Sequence, residues 1–186
     1  MQPMELFSRI LLVITLTMAF LSDSFAQERS IGTSWSFSGI GLTFDQQIKE
    51  TAFVHFGAQL EMSETFLGRA RVPGASLSFT WNDIIGSTTS RNGNRICFFT
   101  GAGAAAGYCK DFRVRRKEQI RYGSFFGLKG RAGVRIEYDR KVNITVAIAP
   151  VLGMHLYIKD ETLMMRYYRY GLLQTLMPEL TISYRF

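Results

Sequence analysis

The residues of this chain that could do chemistry fall into three groups. Four bases, Lys129, Arg131, Arg135 and Arg185, and three acids, Asp45, Glu61 and Glu137, share parity with small and polar neighbours in segments whose other positions are apolar. A second group is the basic run KDFRVRRKEQIRY at 110–122, where Lys110, Arg113, Arg115, Arg116, Lys117 and Arg121 outnumber Asp111 and Glu118. Guanidinium groups there suit bidentate contact with phosphate. The third group is two cysteines and two histidines. Cys97 and Cys109 are twelve residues apart on one extended segment, about 40 Å at 3.3 Å per residue. A disulfide needs Cα atoms within about 7 Å, so the two cannot pair and are expected as small buried hydrophobes. His55 and His155 have no cysteine or histidine at metal-ligand spacing, so no metal and no cofactor are expected. A hydrolase or acyltransferase dyad would want a serine beside His155, but Tyr157 stands two positions on. The sequence therefore predicts no catalytic residue.

The elements that must position these groups announce themselves by alternation. Residues 142–158 place Val142, Ile144, Val146, Ile148, Pro150, Leu152, Met154, Leu156 and Ile158 at even positions. Asn143, Thr145, Ala147, Gly153 and His155 stand at odd ones. Successive strand side chains point to opposite faces, so one face is hydrocarbon and the other small or polar. The same parity runs through 180–186, 126–138, 96–109, 76–82, 54–62, 40–48 and 31–38. That predicts eight strands, the first two divided after Ser38. The links at 49–51 and 139–141 are tight; those at 63–74, 110–122 and 159–171 are long, and 85–94 is intermediate. An even strand number with short turns at one end and longer loops at the other is the pattern of a transmembrane β-barrel.

A soluble sandwich also alternates, so the second face decides. In water it would carry Lys, Glu and Thr, whereas the segment at 97–109 offers Cys, Phe, Gly, Gly, Ala, Gly and Cys. Glycine suits a crowded interior where facing strands compete for space. The bases and acids named above then face a shared lumen, which eight strands leave just wide enough for side chains to fill, and buried charges there must be paired. The bland reading is a structural ion-pair plug; the sharper one is a narrow, basic, anion-permeable pore. In hydrocarbon every backbone polar group must be bonded within the protein, which a closed sheet achieves. Trp35, Phe44, Trp81, Tyr108, Tyr138, Tyr184 and Phe186 are placed for interfacial girdles.

The chain has 186 residues and a net charge of +7, with 47% hydrophobic and 20% charged residues. That composition excludes a disordered tail and a disulfide-dense mini-protein. Residues 10–21 form an apolar run too short for a helical span of about 20. They follow Arg9 and precede Ser24-Phe25-Ala26, the layout of a secretory signal peptide cleaved after Ala26. Residue 27 is Gln, which gives no lipoprotein site.

Together the leader, the glycine-rich strands, Arg135-Ile136-Glu137-Tyr138 and the closing Leu180-Thr181-Ile182-Ser183-Tyr184-Arg185-Phe186 resemble the small bacterial outer-membrane β-barrel proteins, a porin-like group. The resemblance covers residues 27–186 and is specific for fold and location. It implies an all-β, eight-stranded antiparallel transmembrane β-barrel after a cleaved signal peptide, in contact with outer-membrane lipid. It also implies that the barrel-assembly machinery reads the terminal aromatic strand during insertion. Non-enzymatic surface interaction or envelope integrity is expected through the loops at 110–122 and 159–171, the latter with Met164, Met165, Tyr167, Tyr168 and Tyr170. An anion channel is the second expectation, a lipid-modifying enzyme at the rim the third. Nucleic acid, the formal alternative for a basic run, does not suit an exported strand-rich chain.

Overall fold

A computed structural model describes residues 28–36, 39–62, 73–111, 122–139, 141–159, 161–176 and 178–186. The expected leader at 1–26, the division at Ser38 and the bases Arg113, Arg115, Arg116, Lys117 and Arg121 lie outside these residues.

The period-2 segments become β1 (Arg29–Ser36), β2 (Gly39–Lys49), β3 (Ala52–Glu61), β4 (Gly74–Thr89), β5 (Arg95–Lys110), β6 (Tyr122–Tyr138), β7 (Val142–Ile148), β8 (Val151–Lys159), β9 (Thr162–Tyr167) and β10 (Glu179–Arg185). All pairings are antiparallel. The order β1–β2–β3–β4–β5–β6–β7–β10 returns to β1, so eight strands close a barrel, while β8 continues the β7 stave along β6 and β9 pairs with β8 at the end of the sheet. Closure is what lets a sheet stand in hydrocarbon, because no row of N–H and C=O groups is left bare. The start of β1 and the end of β10 sit at one end with the turns at 50–51, 90–94 and 139–141. The segments at 62–73, 111–121 and 160–161 leave from the other end.

The two faces are inverted relative to a water-soluble protein. Outward positions carry Leu42, Leu77, Leu128, Val146, Leu152 and Ile182, all well exposed. Inward positions carry Thr43, Asp45, His55, Thr80, Asn82, Lys129, Arg131, Arg135 and Thr145, all buried. In water a buried polar core under an apolar skin would be reversed; in a bilayer it is the stable arrangement. Trp35, Trp81, Tyr108, Tyr138, Tyr184 and Phe186 are all exposed on the outward face.

Three expectations need correction. The strand expected at 142–158 is broken at Ala149-Pro150 into β7 and β8, because proline brings no N–H to a ladder. Both halves still pair with β6, and Ala149 and Val151 keep the inward parity. The long loop expected at 159–171 is instead the β8–β9 hairpin followed by a five-residue helix, α1 (Arg169–Leu173), and a 3-10 turn at Gln174–Leu176. The link at 85–94 shrinks to 90–94, since a bulge between Ile84 and Gly86 resets the register and lets β4 run on to Thr89. There Ile84 packs against an inward cluster of Phe53, Phe99 and Ala147.

Candidate functional site

The inner wall is the place where the chain concentrates its chemistry, and register explains how. Asp45 and His55 lie directly opposite each other across the tight β2–β3 turn. Their side chains meet at 2.5 Å, Asp45 Oδ1 to His55 Nδ1. Arg135, ninety residues on in sequence, reaches across the lumen and donates from Nη2 to the other oxygen, Asp45 Oδ2, at 2.7 Å. Its guanidinium also lies 3.7 Å from the centre of the Phe53 ring, a cation–π contact. All of these groups are buried, so the pair is shielded from solvent screening.

Arg131 stands four residues away on the same face of β6. It donates from Nη2 to Glu179 Oε1 at 3.3 Å and lies 5.2 Å from the Phe99 ring centre. Thr181 Oγ1 donates to the same carboxylate oxygen at 3.3 Å. Lys129 donates to Ser78 Oγ at 3.0 Å, while Glu61 accepts from Ser76 Oγ at 2.8 Å. At the end bearing the termini, Arg185 bridges Glu137 at 3.1 Å and Glu28 at 2.8 Å, and donates to Asn143 Oδ1 at 3.1 Å.

The structure thus places the seven charges of the inner wall, Asp45, Glu61, Lys129, Arg131, Arg135, Glu137 and Arg185, on the inward face. Of these, Asp45 pairs with Arg135 and Glu137 with Arg185, Arg131 pairs with Glu179, and Glu61 and Lys129 bond to Ser76 and Ser78. Sequence reasoning missed Glu179, the partner of Arg131, although its odd number matches the inward parity of Thr181 and Ser183. It also missed Asp111, which accepts the backbone N–H of Tyr170 at 2.9 Å and pairs with Arg166 at 3.2 Å. Lys110, the described member of the basic run, closes β5 at the loop end.

Below these pairs, an open polar vestibule of about 1180 Å³ at the terminal end is lined by Gln47, Glu50, Asn94, Arg95, Glu137 and Arg185. Rings stand among and beyond the pairs: Phe53 meets Phe99 edge-on at 5.3 Å beside Arg135, and toward the loop end Phe125 stacks on Tyr168 at 4.2 Å. Tyr168 and Tyr170 are fully buried here, which corrects the expectation that they offer surface for a partner; Met164, Met165 and Tyr167 do remain exposed. His155 donates from Nε2 to the carbonyl of Cys109 at 3.0 Å. Both thiols are free and buried. Among the described residues no group of three His, Cys, Asp or Glu side chains converges as a metal site.

Inward glycines make this filling possible. A Cβ built on Gly101 would stand 2.4 Å from Asn82 Oδ1 and 2.3 Å from the Trp81 carbonyl, whereas one on Gly86 meets nothing within 4 Å. Gly101→Val should therefore cost about 1–3 kcal/mol through overpacking. Gly86→Ala should change stability by less than about 0.5 kcal/mol. Urea unfolding of both variants in detergent micelles checks the contrast.

No protein-family profile matches the chain, and no curated protein does. Solved structures do. The N-terminal β-barrel domain of Pseudomonas aeruginosa OprF aligns with a TM-score of 0.50 at 10% identity, over 86% of this chain and 96% of that one. Ail, the attachment invasion locus protein of Yersinia pestis, solved with the heparin analogue sucrose octasulfate, aligns with a TM-score of 0.40 at 14% identity. That alignment covers 87% of this chain and 100% of Ail. The chain has the fold of the small outer-membrane β-barrels: closed, eight-stranded and antiparallel, with an apolar outer face.

Proposed function

We propose that this chain is exported by a signal peptide cleaved after Ala26 and resides in the outer membrane as a sealed barrel. There it serves surface interaction or envelope integrity through the segments opposite its termini. One observation carries the reading: the middle of the lumen is occupied by paired charges and rings, with Arg135 on Asp45, Arg131 on Glu179 and Phe53 against Phe99. Eight strands leave no width for a water column beside such side chains. The terminal strand, ending in Tyr184-Arg185-Phe186, supplies the aromatic signature that the barrel-assembly machinery would engage. At the opposite end the β8–β9 hairpin presents Leu163, Met165 and Tyr167, all more than half exposed, as an apolar tip for a partner. The basic run at 110–122 starts from the same rim, where it would meet lipid phosphates or anionic glycans.

The anion-channel alternative needs unpaired cations along the path, but Arg131, Arg135 and Arg185 each face a carboxylate. No described cluster suits a rim enzyme, and nothing favours nucleic acid, a cofactor or a metal. Reconstitution into a planar bilayer tests the sealed lumen. The expected trace shows no stable conductance steps; large, long-lived steps selective for anions would overturn the reading in favour of the pore.

A further inference from the structure

One stretch of the wall is not made of strand. β9 pairs with Met154–Lys159 and β10 with Val142–Ala147, so the eighth stave is split. Between Tyr167 and Glu179 the wall is α1 and the 3-10 turn. Directly across from it lies the Ala149-Pro150 break. On that side the described ladder is replaced by a single backbone bond, Tyr168 N–H to the Gly153 carbonyl at 2.9 Å. A five-residue helix closes only a few of its own backbone bonds, so the segment depends on partners outside itself for the rest. In place of a ladder, side-chain packing and bonds such as Tyr168 N–H to Gly153 and Tyr170 N–H to Asp111 hold the segment in place. Leu172 and Leu176 are 45% and 79% exposed, flanked by the outward Ile148, Leu152 and Leu180. The break therefore sits within the apolar belt.

Behind this segment Ala105, Cys109, Phe125 and Val151 wall a space that the rings of Tyr168 and Tyr170 fill. Four of its walls stand on strands of the closed sheet, but both tyrosine rings belong to the unladdered segment. Tyr168 stacks on Phe125 with planes 9° apart, and its hydroxyl accepts from Cys109 Sγ at 3.6 Å. Gly171 lets the segment lie flat on β8: a Cβ there would be 2.3 Å from the Val151 carbonyl oxygen and 2.7 Å from the Tyr168 ring. The N–H of Tyr170, held by Asp111, is the latch on the loop side. If the segment swings outward, both rings leave with it, and the vacated chamber faces acyl chains rather than water.

The geometry points to residues 168–176 as a lateral door through which an apolar molecule dissolved in the bilayer reaches the upper lumen. This rests on the proposed placement in a membrane. A segment held by packing and isolated bonds in place of a ladder opens at a lower free energy than the whole fold, which is what a door requires.

Cys109, buried behind Tyr168, is a built-in reporter, and Cys97→Ala leaves it as the sole thiol. The protein is reconstituted in phosphatidylcholine vesicles and exposed to two maleimides, one carrying pyrene and partitioning into the bilayer, the other sulfonated and confined to water. Gly171→Val should raise the rate of Cys109 alkylation by the pyrene reagent about tenfold or more, with no change for the sulfonated one. Tyr168→Ala, which removes the stack on Phe125 without adding bulk, should act in the same direction and serves if Gly171→Val does not fold. Equal acceleration of both reagents would overturn the door, because the segment would then open to water. No acceleration in a variant that still shows the heat-dependent gel shift of a folded barrel would overturn it too. Protein that alkaline carbonate strips from the vesicles would remove the membrane placement itself, a failure distinct from that of the door.

Discussion

Arg135→Glu should lower the unfolding free energy of the barrel by about 3–5 kcal/mol, the range for breaking a buried ion pair by removing one partner. The substitution deletes the 2.7 Å bond to Asp45 and sets a second carboxylate against the first in a site that water does not reach. It also removes the cation from the face of Phe53. Arg131→Glu should be comparably damaging, since Glu179 would then face a like charge. Arg115→Glu, in the basic run that the sequence reads as a loop, should stay within about 0.5 kcal/mol of the parent. Urea unfolding in detergent, followed by tryptophan fluorescence, measures all three. Equal tolerance of the three would remove the lumen assignment. A further consequence separates pairing from bulk: Arg135→Met combined with Asp45→Asn should recover much of what Arg135→Met alone loses, because no buried charge is then left without a partner.

Leu128→Arg tests the opposite face. Leu128 is 71% exposed and lies well inside β6, away from the exposed Tyr138 near its other end. On a water-soluble sheet such a change would be close to neutral, since the arginine would be solvated. Facing acyl chains near the bilayer midplane, it should cost about 2–4 kcal/mol. Tyr108→Arg, beside the loop end of β5, should cost no more than about 1 kcal/mol, as the depth dependence requires. Equilibrium unfolding from phospholipid vesicles gives both values. A harmless Leu128→Arg in a folded protein would mean that this face meets water.

Much of this was readable from parity. Two faces of opposite character force a period of two along every stave, and the bases of β6 fall on the inner face because Lys129, Arg131 and Arg135 share one parity. The Asp45–His55 pair was also within reach: the two residues are equidistant from the tight turn that joins their strands. Other features left no such trace. In β9 the run Leu163-Met164-Met165 is apolar on consecutive positions and exposed on both sides, so it has no alternation to read. Five residues of α1 are too few to display a helical period. Arg131 meets Glu179 because β10 lies against β7, and Asp111 meets Arg166 because β9 folds back on β8; no local spacing reports such pairs. Pro150 was legible as an interruption, but its even position among apolar residues disguised it as part of the oily stripe.

The central claim is that the apolar stripe of each stave faces acyl chains, and the two tryptophans report on it directly. Trp35 and Trp81 are both on the outward face, 41% and 40% exposed, toward opposite ends of the barrel. Their fluorescence should be strongly quenched when the protein is refolded into phospholipid vesicles whose acyl chains carry bromine, and nearly indifferent to iodide in the surrounding water. Emission that bromolipid leaves untouched while iodide extinguishes it would contradict the account.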